Sequence, residues 1–342
     1  MRQPLHWLSP GDPAQLTGGY LYNARVISVL CQRGWEVQTH VLHGQWPWPG
    51  DADLQGIADV LGSIPQGEPV LADGLLWPGL GPLRERVCSR HPVAVLVHSL
   101  LDKEDSEDPE RLIALEAEAL GQARGWIATS PATARLVRQR MRAPIRPGRV
   151  VCPGTEPASR AQGSGGRQLL TVATVTPRKD ILGLVQAASA LTVQDWHLNI
   201  VGSLQRAPDY AQRVRAEIQS RGLSDRVRLM GELDGAALEA AFAEADLLVH
   251  TASFESFGMV LSEAIARGIP VLSTPAGALE VLPEGAIQEV PVGQPQVWAH
   301  VLNGLLGEPE SLHKMADVAA DAVLPTWQDA ASEFESALAE VL

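Results

Sequence analysis

Short apolar runs alternate along nearly the whole chain with longer stretches that carry apolar residues at helical spacing. In the first half the runs predict strands at 4–8, 36–42, 70–72, 93–98 and 126–129. Helices are predicted between them at 17–33, 82–90, 109–124 and 131–140. The second half repeats the scheme, with strands at 169–175, 197–202, 227–230, 247–250 and 271–273. Its helices are expected at 182–191, 210–221, 236–245, 258–267 and 296–305, and a last amphipathic helix at 327–342. Runs of this kind, apolar throughout and joined by helices, suit parallel strands covered on both faces. The expected fold is α/β: two Rossmann-like doubly wound domains, each binding ligands at the carboxyl ends of its strands. The Gly/Ser-rich stretch PASRAQGSGGR at 157–167 has no periodicity and reads as the linker and hinge between them.

A length of 342 residues is ample for two cores. Hydrophobic content of 45% and charged content of 20% are those of a globular protein. A formal net charge of −13 argues against nucleic acid as a partner. Cys31, Cys88 and Cys152 are widely spaced and suggest neither a disulfide framework nor a zinc site. The sequence has no signal-peptide core and no run long enough to span a membrane, so a cytoplasmic location is expected.

The stretch 251–270, TASFESFGMVLSEAIARGIP, holds the densest candidate chemistry. A strand runs into a glycine-bearing turn and then a helix, which gathers unpaired N–H groups and the positive end of a helix dipole. Glu255 stands in the turn and Glu263 inside the helix. Carboxylates beside an anion site suit the hydroxyls of a sugar or ribose; otherwise Glu255 is a cap-like residue and Glu263 a solvated one. The wording Glu255-Ser-Phe-Gly followed by Glu263-Ala-Ile-Ala-Arg-Gly-Ile-Pro-Val resembles the E-x7-E signature of the retaining glycosyltransferases of family 4.

That resemblance implies the GT-B fold, in which two Rossmann-like domains face each other across a deep cleft. It implies an N-terminal acceptor-binding domain over 1–156 and a nucleotide-sugar donor domain over 168–326. The helix 327–342 would cross back to the first domain. The implied activity is metal-independent transfer of a hexose, with retention, from a nucleotide diphosphate sugar to an unknown acceptor, without a cofactor. Lys179 and Arg178, after the first strand of the second domain, would hold the diphosphate, as would backbone amides near Gly18, Gly19 and Gly258. Glu255 would hold hydroxyls of the donor sugar, with Ser256 and Phe257 beside it, and Glu263 the ribose. His98, at the end of VAVLVH, would contact the donor sugar, and Leu233 the base. The chain departs from the family at Ala173-Thr174, where Gly-Arg is usual. Arg178 or a hydroxyl hydrogen bond from Thr174 would have to serve instead. The departure keeps two alternatives open, a nucleotide-sugar epimerase or hydrolase of this fold and a nucleotide-sugar-binding module without turnover.

Other motifs read more simply. Asp51-Ala52-Asp53 has the form of a metal-binding DxD but follows WPWPG rather than an apolar strand, so helix capping is expected. His40 and His43 lack a third ligand and read as structural. Six arginines at 135–149 read first as a solvated face, and secondly as a surface for an anionic acceptor or peripheral membrane contact. Trp46 and Trp48, in the loop before Asp51, either stack on a sugar or pack.

Overall fold

A computed structural model describes residues 4–11, 17–103, 108–141, 146–165 and 167–342. Two compact units make up the chain, one of residues 1–154 with 325–342 and one of residues 155–324.

In the first unit the elements run β1 (Leu5–Pro10), α1 (Gly18–Gln32), β2 (Val37–Leu42), α2 (Asp51–Ser63), β3 (Val70–Asp73), α3 (Leu83–Arg90), β4 (Val93–Val97), α4 (Pro109–Gln122), β5 (Gly125–Ala128), α5 (Pro131–Arg140) and β6 (Gly148–Val150). All six strands are parallel, in the order β2-β1-β3-β4-β5-β6. The central strands β1, β3, β4 and β5 are buried along their whole length, as expected of a sheet covered by helices on both faces.

The second unit runs β7 (Gln168–Val172), α6 (Ile181–Ser189), β8 (His197–Val201), α7 (Pro208–Ser220), β9 (Val227–Gly231), α8 (Gly235–Glu244), β10 (Leu247–His250), α9 (Met259–Ile265), β11 (Val271–Ser273), β12 (Ile287–Glu289), α10 (Pro295–Gly307) and α11 (Pro309–Ala320). Its parallel sheet has the order β12-β11-β10-β7-β8-β9. Counted from its own first strand this is 3-2-1-4-5-6 read from the far edge, the dinucleotide-fold order.

The last helix, α12 (Trp327–Val341), belongs to the first unit. Thr326 caps it reciprocally with Asp329. Its buried face carries Trp327, Phe334 and Leu338, and Phe334 stacks on Trp7 with ring centroids 5.7 Å apart. Glu335 fixes the register against α1, accepting from Arg33 Nε (3.0 Å) and Trp35 Nε1 (2.6 Å).

The stretch read as a linker, whose Gly166 lies outside the described residues, is bonded into the second unit. Ala161 N donates to Arg267 O at 2.8 Å, Gln162 N to Ala243 O at 3.0 Å, and Ser164 Oγ to Asp246 Oδ2 at 2.6 Å. Three elements were not visible in the periodicity. β6 and β12 are three-residue edge strands with little buried surface, and α11 is a surface helix burying only Leu312 and Ala319.

Candidate functional site

Strand order decides where a parallel sheet binds ligands: outside the carboxyl ends, where neighbouring strands send their connections to opposite faces. In the second sheet that point lies between β7 and β10, and in the first between β1 and β3. Each unit has a cluster of the candidate side chains there.

In the second unit, the loop after β7 makes a short 3-10 turn at Pro177–Lys179, and Asp180 caps α6 by accepting from Gly183 N. The loop after β10 is laced to it. Ser253 N donates to Arg178 O (2.8 Å), Thr251 Oγ1 to Lys179 O (2.8 Å), and Arg178 Nη1 to Phe254 O (3.1 Å). These bonds set the side chain of Lys179 on the carboxylate of Glu255 in a short ion pair, 76 residues apart in sequence. Their side chains are only 14% and 12% exposed. His250, fully buried at the end of β10, brings Nε2 within 3.3 Å of Glu255 Oε2. Burial pushes the Glu255 carboxyl up, but the Lys179 ammonium and the neighbouring His250 together outweigh it and hold the group well below the usual carboxylate range. Burial lowers the pKa of His250, and the Lys179 and Arg178 cations push the same way against Glu255, so the imidazole is neutral near pH 7.

Gly258 makes this turn possible. Its φ of +92° lies in the left-handed region, and a Cβ there would come within 3.1 Å of Glu255 Cγ. Phe257 beside it is buried, Ser256 half-buried, and Ala278 N donates to Phe257 O at 2.8 Å. Glu263 is half-buried in the second turn of α9. The helix ends in a Schellman turn, with Gly268 at φ +70° and Ile269 N bonded to Ala264 O at 3.0 Å. Thr174 is half-buried in the loop leaving β7, and Leu233 in the loop between β9 and α8. Gly202 admits no side chain, because a Cβ would lie 2.0 Å from Ala173 O.

In the first unit, Gly18 and Gly19 open α1 after Thr17, and Gly19 stands against the ring of His98, where a Cβ would come within 3.4 Å of Cγ and Cδ2. His98 Nε2 meets Asn23 Oδ1 at 2.8 Å and lies 3.7 Å from Asp73 Oδ2, and Tyr22 presents an edge to the ring. Sequence reasoning named His98 but not Asn23, Asp73 or His250. Asp73 and His250 each end an apolar strand, the same signal that singled out His98. Asn23 sits inside a helix, where nothing marked it.

The remaining candidates are placed as follows. Asp53 caps α2, its Oδ2 accepting from Gly50 N at 3.1 Å. His40 Nε2 lies 2.9 Å from His6 Nδ1, whose ring reaches Glu68 at 2.5 Å through Nε2. Trp46 Nε1 donates to Leu42 O at 3.2 Å, and Trp48 packs under the guanidinium of Arg111. The arginine run is divided: Arg135, Arg138 and Arg149 are exposed, as on a solvated face, whereas Arg140 and Arg146 are half-buried and bonded to neighbouring elements of their own unit. Arg140 bridges Asp102 (2.5 Å) and Glu116 (2.7 Å), Arg138 lies over Trp126, Arg146 donates to Gly121 O, and Arg149 pairs with Glu340. Arg142 lies outside the described residues. No helix among the described residues is long and apolar enough to cross a membrane.

Known proteins share both sequence and architecture with this chain. The profile of the family described as glycosyl transferases group 1 matches residues 155–321. D-inositol 3-phosphate glycosyltransferases of Arthrobacter sp. (strain FB24) and Jonesia denitrificans are 29% identical over 252 residues and 27% identical over 271 residues, or 68% and 72% of this chain. The matched regions make up 59% and 64% of those relatives, so the chain spans about three fifths of their length. Sucrose-phosphate synthase from Thermosynechococcus elongatus superposes with a TM-score of 0.82 over 98% of both chains at 21% identity. Anabaena HepE, solved in complex with UDP and glucose, superposes with a TM-score of 0.78 over 99% of this chain and 100% of its own at 18% identity. These superpositions establish the α/β two-domain GT-B fold. Residues 155–321 of the chain are therefore similar to the glycosyl transferases group 1 family, within an architecture of the GT-B fold.

Proposed function

We propose that the chain is a hexosyltransferase that moves a sugar from a nucleotide diphosphate donor to an acceptor hydroxyl, with retention and without a metal. The observation that carries this reading is the buried Lys179–Glu255 pair at the switch point of the second sheet, beside the N-terminus of α9. Breaking a glycosyl–diphosphate bond leaves an oxocarbenium-like sugar and a diphosphate of growing negative charge. Lys179, Arg178 and the amides around Gly258 are donors suited to that leaving group, each worth roughly 2.7–4 kcal/mol at the transition state in a dry site. Glu255 takes hydroxyls of the donor sugar and Glu263 the ribose, while Thr174, Leu233, Ser256 and Phe257 line the donor. Gly18 and Gly19 offer amides to the diphosphate, and His98 a ring nitrogen to the sugar. The acceptor hydroxyl attacks the anomeric carbon from the face the diphosphate leaves, which retains configuration without a protein nucleophile. In this reading residues 168–326 bind the donor and 1–156 the acceptor.

The names of the relatives and the ligands of HepE choose the first probes: UDP and UDP-glucose among nucleotide diphosphates and their sugars, and D-inositol 3-phosphate among acceptors. Donor consumption that requires an acceptor, gives the retained anomer and is indifferent to chelator is expected. Free sugar released without acceptor would make the protein a hydrolase instead. Tight nucleotide binding without donor consumption would make it a binding module, a reading favoured by Ala173-Thr174 and by the Arg178 guanidinium bonding its own backbone at Phe254 O. Glu263→Ala should weaken binding of the nucleotide diphosphate alone, read by calorimetry; unchanged affinity would remove Glu263 from the site.

A further inference from the structure

Asp73, Asn23 and His98 come from three different elements of the first unit, and their hydrogen bonds run in one direction. Asp73, at the end of β3, accepts from Leu75 N through Oδ1 at 2.8 Å. Its other oxygen, Oδ2, lies 3.5 Å from Asn23 Nδ2, which donates to it. The amide of Asn23 therefore turns its carbonyl Oδ1 to His98 Nε2, 2.8 Å away. A carbonyl oxygen only accepts, so Nε2 must carry a proton. The Asp73 carboxylate, 3.7 Å from Nε2, favours a proton at the same place. Burial lowers the pKa of His98 against the pull of Asp73, so the ring is neutral near pH 7. In a neutral imidazole protonated at Nε2, Nδ1 is a lone-pair acceptor.

Nothing in the described residues takes up that lone pair, and the side chain keeps 17% exposure at the carboxyl edge of the sheet. Gly19 and the edge of Tyr22 hold the ring from its sides, with Tyr22 at 5.2 Å between centroids. Among the described residues Asp73 is the charged group that approaches the ring, and Tyr22 and Asn23 are its neutral neighbours. We infer that Asn23 and Asp73 are positioning residues: they fix His98 as its Nε2–H tautomer so that Nδ1 accepts a hydrogen bond from a hydroxyl of a carbohydrate substrate. The identity of the ligand rests on the transferase reading above; the tautomer does not.

The test is a long-range proton–nitrogen NMR spectrum of the full chain labelled with ¹⁵N-histidine, His98 being assigned by its loss in His98→Gln. A protonated Nε2 and an unprotonated Nδ1 are expected at pH 7. Asn23→Leu should release the ring into a mixture of tautomers and lower kcat/KM for the sugar donor about tenfold, the equivalent of one hydrogen bond. The near-isosteric Asn23→Asp keeps an acceptor at Nε2 and so keeps the tautomer, but its added carboxylate should raise the His98 pKa by about one unit or more. Transfer by that variant should then fall on acidification along the His98 titration, because an imidazolium Nδ1 no longer accepts. An Nδ1–H tautomer in the wild type, or an unchanged tautomer in Asn23→Leu, would overturn the inference. The expected tautomer in a protein that transfers no sugar would leave the network standing and remove its ligand.

Discussion

Replacing Lys179 by alanine tests the centre of the second unit, because it leaves Glu255 buried beside a neutral His250. Both partners of the pair are well shielded from water, so the loss is that of a buried ion pair broken on one side, about 3 kcal/mol or more. For a unit of this size, that corresponds to a fall in Tm of about 6–12 °C. The pH dependence follows from the sign of the shift. Glu255 has a folded pKa below its unfolded value, so it contributes stability that is present at neutral pH and lost as pH falls below about 4.3 toward the folded pKa. Without Lys179 the burial effect dominates, the folded pKa rises, and the penalty is relieved on acidification. The gap between wild type and Lys179→Ala should thus be widest near pH 7 and narrow toward pH 4. Denaturant unfolding at several pH values measures it, together with Glu255→Gln and the double variant, in which much of the lost stability should return. Additivity of the two single variants within about 0.5 kcal/mol would refute the account of a coupled pair. In transfer assays Lys179→Ala should cost about two to three decades of kcat/KM; a loss below threefold would remove Lys179 from the leaving-group site.

Three further outcomes are expected. Gly258→Ala forces a side chain into left-handed backbone and against Glu255, and should cost about 1–2 kcal/mol or more in chemical denaturation; an unchanged midpoint contradicts the crowding described. Phe334→Ala should destabilise the first unit by about 3–5 kcal/mol, because the ring is fully buried and stacked on Trp7. Glu116, raised to about 7 by burial despite Arg140, contributes stability below its unfolded pKa that is lost as pH rises toward 7, with a slope of at most about 1.4 kcal/mol per pH unit. Glu116→Gln should flatten that dependence in unfolding measured from pH 4.5 to 7; an unaltered slope would assign it elsewhere.

Several elements were legible because the physics that forms them is local. The helix 131–140 begins where Ser130 and Pro131 place it, since a serine cap and a proline in the first turn satisfy unpaired amides within a few residues. The strands 247–250 and 271–273 were visible because a strand buried on both faces must be apolar throughout. The arginine run shows the limit of such reasoning. Its charge was plain, but whether each guanidinium met water or a carboxylate depended on Asp102, Glu116 and Glu340, which lie elsewhere in the chain.

The sequence by itself determined the alternation of strand and helix, the two α/β units and the residue types that could meet an anion or a sugar, all properties of short windows. Strand order belongs to the tertiary structure, because parallel strands joined by helices can neighbour in more than one sequence while each keeps its pattern. That order put β7 beside β10 and β1 between β2 and β3. It thereby set Lys179 on Glu255 across 76 residues, and Asn23 between Asp73 and His98. Charge pairing and proton placement act through space over a few ångströms, so neither could be read until the fold had brought those side chains together.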